Sequence, residues 1–524
     1  MFLLTLSLSL TLSQSTAADL PLPTGLVGQD DPWAIALDDA DELRRHRRPL
    51  AASARAADIL GAQPPPEVRR QARLSMAMSL RDLGMLESSR DQLLRVVADG
   101  ADDPATRAAL VALLRPVQGD AASELMVLAP LLPAAALDGE TARTLPAGPG
   151  DALRYARALD HLDADELAYA RRALAAVHGP LSGRAHALAA AVAHQQGDVR
   201  AAAESLGRAI GAADETGDRD LRDQASLQAG RLLYGLGRPE ESARFYSEVA
   251  PGRPLWADAR EEQAWAYFRA GEVDRALGNA VALTSPWRTV PTPEVQLITG
   301  IARLETCRFD EAARTAEQLA ASLRPTVDAL GTWLSYAQAD SAFDDWFGAR
   351  DGVPGLGDAP VPRGVLEVAL RDRELAANAR RLAALDAELE TILSQKTVWV
   401  DAVGAALADE LARSRTEAAT RAGDRLIVTL RRQHAHLNDV LGQADVLAFE
   451  AVDGQRRMLE ELARRPAPDT LTKGTDIDFA VATDLVYWPF NGEFWADEID
   501  SYRVEMPSLC DRFAAAGSTG VSRG

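Results

Sequence analysis

The sequence predicts an all-α fold of stacked helical hairpins followed by long helices, and three observations predict it. Residues 223–254 and 257–288 repeat one pattern 34 residues apart: Gly230 returns as Ala264, Leu233 as Tyr267, Gly237 as Gly271, Ser242 as Ala276 and Tyr246 as Ala280. Small residues opposite large ones let two antiparallel helices nest, and Gly237 and Gly271 supply the turns between them. Hydrophobic residues make up 47 %, largely Ala and Leu, and aromatics only 5 %, a balance that favours helices packed through small side chains over an aromatic-rich β core. Beyond residue 364 the apolar residues follow alternating three- and four-residue steps, which is the stripe of a coiled coil.

Residues 1–18, MFLLTLSLSLTLSQSTAA, read as a secretory signal: an apolar run from Phe2 to Leu12, then small residues, with cleavage near Ala17 or Ala18. Export to the periplasm or outer envelope is the expectation. No Lys or Arg precedes the run, so a start further upstream or an uncleaved β-like stretch is the alternative. No cysteine stands at the cleavage point to carry a lipid, and no later apolar run predicts a membrane span. The net charge of −21 arises from acidic residues scattered along the chain, which excludes strong non-specific attraction to nucleic acid or an anionic membrane surface.

Residues 19–63 read as a Pro/Gly-containing leader in which the acidic run from Asp38 meets the basic cluster Arg44–Arg48. Pro64-Pro65-Pro66 precedes a first hairpin with Leu74, Met76, Leu80 and Leu83 on one helix, Gly84 at the turn, and Leu93, Leu94 and Val97 on the next. Residues 105–150 are broken by Pro116, Pro130, Pro133, Pro146 and Pro149 and read as degenerate repeats or a looped insertion. From Asp151 the pattern returns, with further turns at Gly197, Gly237 and Gly271. A third clear copy follows at 292–322, where Gly300 matches Gly230 and Cys307 takes the slot of Gly237. The hairpin array is expected over 64–347.

This period, with helix, glycine turn and helix, resembles the tetratricopeptide repeat (TPR) family. The resemblance implies a solenoid that holds other proteins, with its first helices lining a groove. Matching offsets in that row are Leu227, Arg231 and Tyr234, then Glu261, Trp265, Phe268 and Arg269, then Leu297, Ile301 and Leu304. If exposed, they would suit an extended peptide or partner helix, with Trp265 and Phe268 as anchors and Arg231 or Arg269 pairing a carboxylate. The alternative is that the C-terminal hairpin or tail fills the groove.

Residues 348–363 are dense in Gly and Pro and mark a linker. Two stripes follow, Leu375, Asn378, Leu382, Leu385, Leu389, Ile392, Trp399, Val403 and Ala406, then Leu430, Leu437, Val440, Ala444, Leu447, Ala451 and Met458. A turn near Gly423 would pair them as an antiparallel hairpin over 364–465; without it they would form one long helix needing a partner chain, so self-association is open. After a linker at 466–483 the aromatic tail, with Tyr487, Trp488, Phe490, Phe494 and Trp495, predicts either a cap on the chain's own helices or a docking segment. The string WPF-G-EFW is also similar to the C-terminal segment of envelope-associated repeat proteins of gliding or predatory bacteria. Cys307 and Cys510, the two cysteines, could form a disulfide in an oxidising compartment, though a small residue at the turn explains Cys307 by itself.

The usual arrangements of catalytic chemistry are missing. Neither Lys396 nor Lys473 ends a Gly-rich phosphate loop, and no G-x-S-x-G turn or H-E-x-x-H helix occurs. No cofactor or metal is expected. The leading reading is an exported, non-enzymatic scaffold that assembles or braces a cell-envelope complex, concerned with motility or secretion. The alternatives are a cytosolic adaptor and an accessory region of an enzyme whose site lies C-terminal.

Overall fold

In the computed structural model, residues 31–99, 102–115, 121–133, 143–286, 292–347, 363–463, 492–495 and 498–510 are described. Among them the chain is helical with no strand. It divides into two units, one running to Asp160 and including Arg381–Arg415, the other comprising His161–Arg380 and the chain from Thr416 onward.

The first unit opens with α1 (Pro32–Arg45) and α2 (Pro49–Gly61), so most of the expected leader is itself a helical hairpin. Each helix starts on a proline whose missing N–H costs nothing in the first turn. Ala36, Ile59 and Leu60 pack with Val68 and Ala72 of α3 (Pro66–Asp82). The basic cluster is the turn of that hairpin, with Arg47 at a φ of 57°. After α4 (Leu86–Ala98) come α5 (Pro104–Leu113), α6 (Ala121–Leu128) and α7 (Ala147–Asp163), so the proline-broken region still forms helices between its breaks.

The second unit continues with α8 (Leu167–Ala175), α9 (Ser182–Gln195), α10 (Val199–Thr216), α11 (Arg219–Gly235), α12 (Pro239–Ser247), α13 (Trp256–Arg269), α14 (Val273–Ala282), α15 (Glu294–Glu305) and α16 (Phe309–Leu334). Five successive hairpin turns carry a left-handed residue two positions before the second helix: Asp165, Gly197, Gly237, Gly271 and Cys307. The nesting read from the repeat is there too. A Cβ on Gly230 would strike the Tyr246 ring, and the Ser242 hydroxyl donates to the Gly230 carbonyl at 2.8 Å.

α17 (Ala339–Phe347) and α18 (Arg363–Ala369) lead to α19 (Arg373–Leu393), and α20 (Ala405–Ala463) follows a short turn. The expected turn at Gly423 is absent: that residue lies inside α20, where a Cβ would strike the Ala339 carbonyl, so the glycine permits close helix approach. The chain reverses at 394–404 instead. Arg415 pairs with Asp386 at 2.8 Å in the first unit, and Arg425 with Glu374 at 3.2 Å in the second, the register of an antiparallel pair turning near residue 400. The helical turn Thr397–Trp399 enters α20 through a π-helical turn, Val400–Gly404. Its extra residue shifts the stripe by one position, so Leu407 and Leu411 are buried where Ala406 was expected and Ala406 is exposed. The first stripe divides between the units: Leu375 packs with Leu330, Trp333 and Leu426 in the second, and the part from Leu382 to Trp399 belongs to the first. There Trp399 donates to Ser53 at 3.0 Å, and the Glu388 carboxylate accepts the N–H groups of Glu87 and Ser88 at 2.7 Å, capping the start of α4.

Candidate partner-binding surfaces of the second unit

The row of first-helix residues divides into three fates. Leu227 is buried in a core with Tyr246, Trp256 and Leu283. Arg231 holds Glu262 in a two-pronged pair, with Nε 2.9 Å from Oε2, and Arg269 lies over the Tyr234 ring at 5.1 Å. Phe268 meets Trp265 edge-on at 6.3 Å. Trp265, Leu297, Ile301 and Leu304 are covered: Leu437, Val440, Ala444 and Leu447 of α20 pack on them and on Ala316, Leu319, Leu323 and Val327 of α16. The third copy's part of the groove is therefore occupied by the chain's own helix, because the second stripe has the apolar periodicity that the row requires. The bare backbone of Gly300 leaves the space that the Leu447 side chain fills.

A titratable cluster sits at that contact. The Glu261 carboxylate accepts the Glu294 N–H at 2.9 Å, capping α15; Trp265 Nε1 donates to Glu294 Oε2; and His436 Nε2 of α20 lies 3.5 Å from Glu294 Oε1. Burial, with the Glu294 charge beside it, pushes Glu261 up to about 8. Asp258, paired with Arg371, is also raised by burial. Each of these groups caps a helix or pairs with a neighbour, and among the described residues no group of His, Cys, Asp and Glu could hold a metal ion. Glu261 was in the row read from sequence; Glu294 and His436 were missed, since only the packed α20 brings them together.

Among the described residues nothing covers the opposite side of α20. Val446, Phe449, Val452 and Leu459 are 61 %, 68 %, 59 % and 56 % exposed, the first three forming an i, i+3 ridge. The expected stripe residues lie on the covered face, so this second set was missed, although its three-residue spacing stands in the sequence.

Of the aromatic tail, Tyr487, Trp488 and Phe490 lie outside the described residues. Phe494 packs against the Trp256 core, and Trp495 is more than half exposed. Ile499, which sequence reading passed over, is fully buried in the same core. Asp500 reaches Arg260, whose guanidinium burial holds below its usual range, with Asp500 acting to raise it. Cys307 and Cys510 are joined in a disulfide.

The arrangement is a repeated helical-hairpin array carrying a long C-terminal helix. No protein-family model and no curated protein matches the chain. A crystal structure of a tetratricopeptide repeat protein from Parabacteroides merdae is similar over 55 % of this chain and 91 % of that one, at 12 % identity and a TM-score of 0.24. A likeness that loose carries no argument about function, and the gliding-bacteria similarity of the tail finds no support. Among the described residues no helix is long and apolar enough to cross a membrane.

Proposed function

We propose that the protein is a non-enzymatic scaffold, exported to the cell envelope of a bacterium, that holds a partner protein in a complex. The observation that carries the scaffold reading is the ridge of Val446, Phe449 and Val452. It is an apolar face on a helix already fixed on its other side, so a partner helix gains the contact without ordering the scaffold. Arg231 and Arg269 are exposed, with Tyr234 and Phe268 half-buried beside them, and this part of the first-helix row extends the available surface. Export is supported by the apolar run of residues 1–18 and by the Cys307–Cys510 bond, which persists in an oxidising compartment.

The test is affinity isolation from cross-linked cells of the tagged protein and its Phe449→Ser variant, with mass spectrometry of partners and of the mature N-terminus. Phe449→Ser is expected to lose one partner with helicity unchanged, since exposed substitutions shift stability by only about 0.5 kcal/mol. Full partner recovery by the variant overturns the ridge assignment. A mature end near Ala18 supports export, and an intact Met1 overturns it.

A further inference from the structure

Arg260 makes an unusual demand on the second unit: its side chain is 1 % exposed, and a guanidinium stays charged at any ordinary pH. A buried charge needs a counter-ion. Among the described residues the carboxylate that supplies it is Asp500, whose Oδ1 lies 3.3 Å from Arg260 Nη1 and accepts from Trp256 Nε1 at 3.3 Å. Arg260 also donates to the Tyr246 carbonyl at 2.7 Å. Beside that pair Ile499 enters the Trp256 core, and Tyr502 packs on its edge.

The rest of the tail is read through its main chain. Val504 N–H donates to the Asp274 carbonyl at 2.9 Å, and Leu509 N–H to the Thr306 carbonyl at 2.9 Å. Arg503 pairs with the Asp274 carboxylate at 3.3 Å. A Cβ on Gly278 would strike the Tyr502 carbonyl, so α14 offers a notch of bare backbone where the tail crosses it. Main-chain bonds for affinity, with one apolar and one charged pocket for selection, are how a docked peptide is recognised.

We propose that Trp256, Arg260, Asp274 and Gly278 form a peptide-reading socket for a segment in which an aliphatic residue is followed by a carboxylate and, two residues later, an aromatic. Ile499, Asp500 and Tyr502 are its occupant in cis, and Cys307–Cys510 latches them there. The partner is a protein bearing the same aliphatic–acidic–x–aromatic segment, because the socket's buried cation accepts no neutral or basic substitute without being left unpaired. This rests on the scaffold reading but on a different surface from the ridge. Opening is a thiol–disulfide exchange: a dithiol closes into its own disulfide, and Cys307 and Cys510 each take up a hydrogen as thiols. A tethered segment competes at an effective concentration on the order of millimolar. A partner at micromolar concentration therefore enters once the latch is open and the cis segment is weakened.

The probe is a fluorescein-labelled peptide of residues Glu498–Ser508, followed by anisotropy with the full chain. No binding at micromolar peptide is expected for the oxidised protein. The full-chain variant carrying Asp500→Asn and Cys510→Ser, whose socket is untouched, is expected to bind at least about tenfold more tightly than the oxidised protein. The peptide with Asp500→Asn should bind that variant at least about tenfold more weakly, since it loses a charged hydrogen bond. Equal binding by the oxidised protein and the variant, no binding by the variant, or equal binding of the two peptides overturns the proposal. The peptide's own substitution leaves the protein intact, so equal binding of the two peptides cannot be a folding defect; circular dichroism matching that of the oxidised protein shows the same for the variant, and the Phe449 experiment stands independently.

Discussion

Two C-terminal segments lie on the hairpins of the second unit, and they are held in opposite ways. Residues 437–447 of α20 dock through four apolar side chains against α15 and α16. Residues 499–510 dock through two main-chain hydrogen bonds, ion pairs of Asp500 with the buried Arg260 and of Arg503 with Asp274, one aliphatic side chain and a disulfide. A helix satisfies its own backbone and presents its row already formed, so docking it orders little more than side chains. An irregular segment loses roughly 1–2 kcal/mol of backbone entropy per residue on being fixed, which its few contacts barely offset. The comparison teaches that apolar burial suffices for a prefolded element, whereas an irregular one needs a covalent clamp.

The largest break in that comparison is Leu447→Ala. It opens a cavity over Gly300 and should lower stability by about 2–4 kcal/mol in urea titration; a loss under about 1 kcal/mol would mean that α20 is not held by this row. Next, Cys510→Ser should release the tail and leave α20 in place, at a cost of about 2 kcal/mol. Hydrogen exchange would then speed at the Val504 and Leu509 amides and stay unchanged across 437–451, and uniform speeding would erase the distinction between the two segments.

The smallest effect sharpens the helix side. Glu261 is raised from 4.5 to about 8. Below 4.5 it is protonated folded and unfolded; as pH rises through that window the unfolded chain ionises first, so stability falls until pH passes 8. Glu261→Gln keeps the acceptor for the Glu294 N–H and removes the titration. It should therefore flatten the pH dependence, so that the variant's stability relative to the parent rises steadily from pH 4.5 to pH 8. An unchanged slope in thermal unfolding from pH 4 to 9 would show that Glu261 is solvated where α20 crosses it.

Local rules made the hairpins legible. Gly237, Gly271 and the Gly230–Tyr246 pair state their turn and their nesting in the residues themselves, and even Cys307 sits at the turn its alignment gives it. What failed was reading an interior glycine as a break. Gly423 carries the same letter as Gly271, yet its reason is the Ala339 carbonyl, a neighbour 84 residues away that no local pattern reveals. The π-helical turn misled in the same way, since one added residue moves burial from Ala406 to Leu407 without any mark in composition. The first-helix row lies on α11, α13 and α15, but periodicity cannot say whether an apolar face meets a partner or the chain's own later helix. Ile499 and Asp500 were passed over because a single aliphatic beside a single carboxylate is common in a chain this acidic.

The disulfide has a further effect on the covalent graph of the molecule. By joining residues 203 positions apart, it turns everything from α16 through α20 into one closed ring. A protease that cuts once anywhere in that ring opens it without dividing the polypeptide, so the nicked protein stays a single covalent species until a thiol reaches Cys307 or Cys510.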